Sequence, residues 1–240
     1  MKSKIFIALS FFYASSLLFA QGLIDAEGRP TSDLTSSMLN NGAWVSTSTR
    51  TSDPVEGSPY LFDTFFNKSK VYFQNDVYSI NRLNYNLKSE QFEAQISEDS
   101  IFILNTRFVK KVIMNGKTLE PYYNPEETNL TFYENMGEVN GKVLLKENYL
   151  TVKEGRVDPM TKVKVGADKY MKNEHYYIGD TNGKIIKKIK LKKSDVLSLF
   201  AEDIKSQVTS YVKQNKLKLS DPEDVMKLIY HFNQSDNKQG

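Results

Sequence analysis

Two histidines, His175 and His231, are the side chains of this chain best suited to proton transfer or metal ligation. A zinc centre needs three or four converging ligands, commonly supplied by paired cysteines and histidines. There is no cysteine and no His-x-x-x-His spacing, so neither histidine belongs to a metal motif. His175 lies in Asn173-Glu174-His175-Tyr176-Tyr177, at the start of an expected strand. His231 falls near the end of an expected helix, where a cation or polar ring suits the dipole. Both read as ordinary surface or boundary residues. No Gly-x-Ser-x-Gly elbow presents a serine nucleophile.

Carboxylates are the next candidates. Glu90, Glu93, Glu98 and Asp99 cluster, as do Glu126 and Glu127. A pair of carboxylates facing each other in a cleft would make a glycoside-hydrolase dyad. Their polar strand-and-turn positions make solvated charge the default. Asp180-x-Asn182-Gly183 resembles the start of a calcium loop but lacks its later oxygen ligands, so a hairpin turn is expected. Lys184, Lys187, Lys188, Lys190, Lys192 and Lys193 form a cationic strip. It suits lipid headgroups or an acidic partner, or an exposed strand whose lysines block edge pairing; the second reading is preferred. Tyr60, Phe62, Phe65, Phe66, Tyr72 and Phe73 are aromatic enough to line a ligand groove, with core packing the preferred reading. The site assignment is therefore empty: no catalytic, cofactor-binding or metal residue is named, and no cofactor is implied.

The elements that would position such residues are mostly strands. Phe92, Ala94 and Ile96 alternate with Gln91, Glu93 and Gln95, a period of two. Leu83, Tyr85 and Leu87 alternate with Asn84 and Asn86. Phe108, Val112 and Met114 are expected on one face of a strand, with Val109 and Ile113 on the other. Asn115-Gly116, Asn140-Gly141 and Asn182-Gly183 mark hairpins, because Asn-Gly tolerates positive φ at both central positions. From Ser194 the period becomes helical. Val196, Leu197, Phe200, Ile204, Val208 and Tyr211 form one stripe; Val225, Leu228, Ile229 and Phe232 form another. Asp221 with Pro222, or Ser220 with Glu223, would start the last helix, and Lys216 to Leu219 reads as extended. The fold class expected is mainly β: an antiparallel, curled or barrel-like meander with a C-terminal helical pair (α+β).

The N-terminus reads as an address. Lys2 and Lys4 precede an apolar-to-small run from Ile5 to Phe19, closing at Ala20-Gln21. This run of about 15 residues is shorter than the ~20 of a spanning helix, so a cleaved secretory signal over 1–20 is expected. No later segment is long and apolar enough to span a bilayer as a helix. Without cysteine, stability after export must come from core size. Cleavage would remove two lysines from 32 basic residues, leaving 30 against 29 acids. That near balance argues against a dedicated nucleic-acid binder. The expected organisation is a signal at 1–20, a flexible arm at 21–56 with an anchor around Trp44, a β-rich domain at 57–193, helices at 194–234 and a disordered tail at 235–240.

Gly57-Ser58-Pro59-Tyr60-Leu61, then Val71-Tyr72-Phe73, Arg82-Leu83-Asn84-Tyr85-Asn86 and Gln91-Phe92-Glu93, resemble an uncharacterised family of exported Bacteroidota proteins. Phe132-Tyr133-Glu134, Gly141-Lys142-Val143-Leu144-Leu145 and Tyr176-Tyr177, followed by the lysine-rich strand and two helices, are similar to the rest of that family. The resemblance covers about residues 57 to 233 and departs from the pattern where Asn84 is inserted. It implies an envelope location, in the periplasm, at the outer membrane or outside the cell, and no site residue. The function expected is a non-catalytic binding or accessory protein of the cell envelope, with an envelope protein or a hydrophobic small molecule as partner. A carrier of lipid or another hydrophobic ligand, and a carboxylate-based hydrolase, are the alternatives.

Overall fold

The three Asn-Gly dipeptides each join neighbouring antiparallel strands, and the meander grows from them. The computed structural model describes residues 24–25, 42–46, 55–73, 76–97 and 100–236. The expected signal, Glu98, Asp99 and the last four residues lie outside the described residues. Asn115-Gly116 turns β8 (Val109–Met114) into β9 (Lys117–Asn124) with φ of 49° and 80°. Asn140-Gly141 turns β10 (Asn129–Val139) into β11 (Lys142–Lys153) with φ of 53° and 65°. The third turn is longer and links β12 (Lys169–Asp180) to β13 (Ile185–Ile189); only Gly183 has positive φ. The Asp180 carboxylate accepts there from the Asn182 and Lys184 amides, at 3.0 and 2.9 Å, so it serves a hairpin.

The remaining strands are β1 (Ile24–Asp25), β2 (Gly42–Ser46), β3 (Ser69–Phe73), β4 (Asp76–Ile80), β5 (Leu83–Asn86), β6 (Gln91–Ser97) and β7 (Ser100–Leu104). Among the described residues they form two antiparallel sheets. The larger has the order β1-β4-β3-β8-β9-β10-β11-β12-β13; the smaller has the order β2-β7-β6-β5. Trp44 on β2 pairs in register with Phe102 on β7. From β9 to β13 the large sheet rolls until the Tyr123 amide donates to the Gly183 carbonyl at 2.8 Å. The roll is not a closed barrel. That contact is an isolated bridge, because β13 is short and leaves the sheet for the helices.

Alternation sorts the side chains into three cores. Phe132, Val112, Met114 and Leu119 of the large sheet face Tyr85, Phe92, Ala94 and Phe102 of the small one. Met136, Val139, Leu144 and Ile178, on the same face of the large sheet, meet the helices. Tyr122, Tyr133, Val143, Leu145, Tyr177 and Ile185 fill the inside of the roll. Each buried aliphatic or aromatic side chain contributes on the order of 1.5–3 kcal/mol.

The C-terminal helices are α1 (Lys193–Leu197), α2 (Lys205–Gln214) and α3 (Pro222–Asp236). The first apolar stripe is not one helix. Leu199 and Phe200 are adjacent and both buried, and a continuous helix would turn them about 100° apart. The backbone becomes extended at Ala201 (ψ 153°) and restarts through a 3-10 turn at Glu202–Ile204. Lys216 adopts φ of 53° and closes α2 in a turn, so the stretch expected to be extended does not begin as a strand. Asp221 caps α3, accepting from the Glu223 amide at 3.0 Å, with Pro222 in the first turn.

Two irregularities were not foreseen. A register shift between Tyr72 and Phe73 opposite β8 turns Val109 inward beside Val112 and Met114, while Phe108 sits in a 3-10 turn and is exposed. The expected faces of that strand are thus exchanged at Val109 and Phe108. A second bulge in β10, between Asn135 and Gly137, lets Met136 and Val139 both face the helices. Gly137 has φ of 135°, and a Cβ there would lie 2.8 Å from Ile229 Cγ2 on α3. Gly137→Ala is expected to cost about 2–3 kcal/mol in urea unfolding, through strain and the Ile229 clash. Gly116→Ala, also at positive φ but with nothing within 4 Å, should cost only about 1 kcal/mol.

Candidate functional site

The β11–β12 pair carries polar clusters on both faces and an exposed arm at its end. Its register is unbroken from Lys142↔Asp180 to Lys153↔Lys169. Glu147 therefore sits directly opposite His175, and Leu145 opposite Tyr177, on the face that lines the roll.

At the mouth of the roll the Glu147 carboxylate lies 3.2 Å from His175 Nδ1 and accepts from the Tyr177 hydroxyl at 2.8 Å. Tyr149 stacks on the His175 ring at 4.2 Å. Lys188 reaches in from β13, with Nζ 2.9 Å from the same Nδ1 and 5.5 Å from the Tyr177 ring centroid. One nitrogen thus faces a cation and an anion. Lys188 makes the shorter of the two contacts, and accepting from it leaves the ring proton on Nε2. Burial raises the Tyr177 phenol, and the hydrogen bond to Glu147 raises it further. Burial, followed by the Glu147 charge, raises Tyr133. Both phenols are held in the protonated form, and Tyr177 donates to Glu147. The cluster is a half-buried shelf that can hydrogen-bond and stack.

On the opposite face a row of charges crosses four strands. Lys117 Nζ is 2.6 Å from Glu134, Lys146 Nζ is 3.1 Å from Glu134 and 3.3 Å from Glu174, and Glu174 accepts from Tyr176 at 2.7 Å. Glu134 and Lys146 are buried, at 7% and 8% exposure. Desolvation opposes the Lys146 charge, but the two carboxylates outweigh it and hold its ammonium above the ordinary lysine value. Burial likewise opposes charge on Glu174, and Tyr176 with Lys146 brings its net shift below the usual carboxylate value. The row lies between the sheet–sheet core and the sheet–helix core and is structural.

Beyond Leu150 the two strands leave the body as an arm. Its base is braced by Glu56, whose amide donates to Asp168 O at 2.7 Å and whose carbonyl accepts from Tyr170 N at 2.9 Å. A bridge between Val157 and Lys164 narrows the end. Asp158 accepts from the Met160 and Thr161 amides, both at 2.8 Å, and fixes the tip. Val152, Val157, Met160, Val163, Val165 and Met171 are all exposed, Met160 to 92%.

The residues singled out from sequence are scattered. Glu93 is buried and fixed by the Tyr60 hydroxyl at 2.7 Å and Asn86 Nδ2 at 3.0 Å. Glu90 accepts from Thr131 at 2.8 Å, and Glu126 and Glu127 are exposed turn residues. These acids therefore serve different partners. His231 stacks on Tyr211 at 4.0 Å on the helical side, far along the chain from His175's neighbours. The aromatic run also divides. Tyr60 meets Phe65 edge-on, Phe62 and Phe73 pack against the sheet–sheet core, and Phe66 is exposed under Arg82. β13 lies at the edge of the large sheet, as the lysine strip suggested, but Lys188 also belongs to the shelf. Glu147, Tyr149 and Tyr177 were missed, as was the arm. The available signal was the run of exposed-type valines and Met160 among Gly, Pro and lysine between two long strands.

No protein-family model, no curated protein and no solved structure matches the chain.

Glu134→Gln should cost about 3 kcal/mol, because it leaves buried Lys146 with one half-exposed partner. The raised Lys146 contributes stability that persists through neutral pH and is lost as pH rises through its folded value; the lowered Glu174 contributes stability that is lost as pH falls through its own. Unfolding curves should therefore weaken at both extremes, and Glu174→Gln should flatten the acid side and reduce the alkaline loss in part, since Glu134 still holds Lys146. For the shelf, nitrogen NMR of His175 should find the proton on Nε2. Lys188→Met should move it to Nδ1, facing Glu147; a wild-type ring already protonated at Nδ1 would contradict the Lys188 contact.

Proposed function

We propose that this is an exported, non-catalytic binding or accessory protein of the bacterial cell envelope, which holds an envelope component through the β11–β12 arm. The observation that carries the reading is the exposure of apolar side chains along a braced arm, since exposed apolar patches mark interaction sites. The N-terminal signal pattern and the resemblance to exported Bacteroidota proteins support the location, in the periplasm or at the outer membrane. Other features weigh against the two alternatives. A hydrophobic carrier needs room inside the roll, which Tyr122, Tyr133, Leu145 and Tyr177 fill; a Cβ on Gly179 would meet Leu145 at 2.7 Å and Tyr122 at 2.8 Å. A carboxylate hydrolase needs two acids across a cleft, whereas Glu90 and Glu93 bind separate partners.

Fractionation of producing cells tests the reading. The wild-type protein should sediment with envelope membranes and their complexes. Met160→Asp combined with Val163→Asp should release it to the soluble fraction with expression and folding unchanged. An unaltered distribution would remove the arm from the reading.

A further inference from the structure

The tip of the arm combines apolar side chains with a basic collar. Val157, Met160, Val163 and Val165 project at the end, and Pro159 lies beside Met160. Over residues 153–169 there are five cations (Lys153, Arg156, Lys162, Lys164, Lys169) against three acids (Glu154, Asp158, Asp168), a net charge of +2. Two of the acids are already engaged within the arm. Asp158 holds the tip amides, and Asp168 pairs with Lys164 and accepts from Gly155 N. Lys169 pairs with Glu56. Lys153, Arg156 and Lys162 have no carboxylate partner among the described residues.

Resting on the envelope reading, we infer that the arm docks on an anionic phospholipid surface, inserting Met160 and its valine neighbours while Lys153, Arg156 and Lys162 meet the lipid phosphates. Two features select a bilayer over a folded protein. First, the exposed apolar groups are not confined to one side of the ribbon. At the tip Val157 bridges to Lys164, which stands between Val163 and Val165, so Val157 and the other two valines lie on opposite faces. A protein surface covers one face of a ribbon, whereas the acyl boundary surrounds an inserted tip. Second, the cations stand next to the apolar groups, where a penetrating tip would bring them level with the headgroups. Near an anionic leaflet each such cation strengthens binding roughly fivefold. The braced base presents the tip without an ordering cost at binding.

The test uses the protein purified from producing cells and two sets of vesicles: phosphatidylglycerol mixed with phosphatidylethanolamine, and phosphatidylcholine alone. The wild type should cosediment with the first at low salt, weakly with the second, and lose affinity as salt rises. Arg156→Ala with Lys162→Ala should weaken binding to the anionic vesicles by about 25-fold. Met160→Asp should abolish it. Because the chain has no cysteine, Met160→Cys gives a single attachment site for an environment-sensitive dye. Its emission should shift to the blue on anionic vesicles, and the same dye at Lys205→Cys on the helical side should not respond. The substituted arm positions are exposed and Lys205 is half-buried, and matching thermal unfolding curves establish that the variants fold. Absence of binding to anionic vesicles, binding unaltered by Met160→Asp, or equal binding to both vesicle types would overturn the inference. If vesicles fail while Met160→Asp with Val163→Asp still releases the protein from envelopes, the partner is a protein and only the lipid inference falls. If neither assay responds, the arm's part in the envelope reading falls with it.

Discussion

The unbroken register between β11 and β12 is the constraint on which the rest depends. Strand side chains alternate, so a slip of one residue would exchange the two faces of each slipped strand. Lys146 would enter the tyrosine-lined roll, away from Glu134, and Leu145 would replace it among the charges. The connection between the strands is too long to set this register, unlike the tight Asn-Gly turns beside it. The setting is done by side chains. Lys146 must face Glu134 and Glu174, while Leu145 and Tyr177 must enter the roll. Leaving a buried ammonium unpaired costs several kcal/mol, so alternative registers are penalised.

That charged row also divides the interior. Phe132, Glu134 and Met136 follow one another on one face of β10, so a single strand serves the sheet–sheet core, the ion pairs and the sheet–helix core in turn. The polar row sits where neither the small sheet nor the helices cover the large sheet fully. At Gly137 the last helix comes so close to β10 that there is no room for a side chain.

Local patterns in the chain carried much of this architecture. Alternation at Phe92 and Ala94, the Asn-Gly turns, the last helical stripe and the Asp221-Pro222 start could be read because each depends on neighbours in sequence, whereas Ile96, expected on the same face, is exposed beside the register shift between Gln95 and Ser97. The bulges at Val109 and Gly137 could not, because they depend on the strand or helix opposite. The break at Leu199–Phe200 arises from two adjacent residues competing for one core. The shelf around His175 was invisible for the same reason: Glu147 and Tyr149 come from β11, His175 from β12 and Lys188 from β13, and only register brings them together. Glu93 looked like a solvated acid because its partner Tyr60 lies far away in the chain.

The segment from Glu56 to Leu61 joins distant parts of the molecule. Its first residue bridges to the base of the arm, and its last three lie along β5, with Leu61 N bonded to Tyr85 O and Leu87 N to Pro59 O, both at 2.8 Å. It covers the outer edge of the small sheet while holding a strand that is synthesised much later. During synthesis, β5, β6 and β7 can pair before β12 exists, but the Glu56 bridge cannot form until Asp168 and Tyr170 arrive. Final closure of the N-terminal half therefore waits for the C-terminal half, and a chain truncated before the arm would leave Glu56 without its strand.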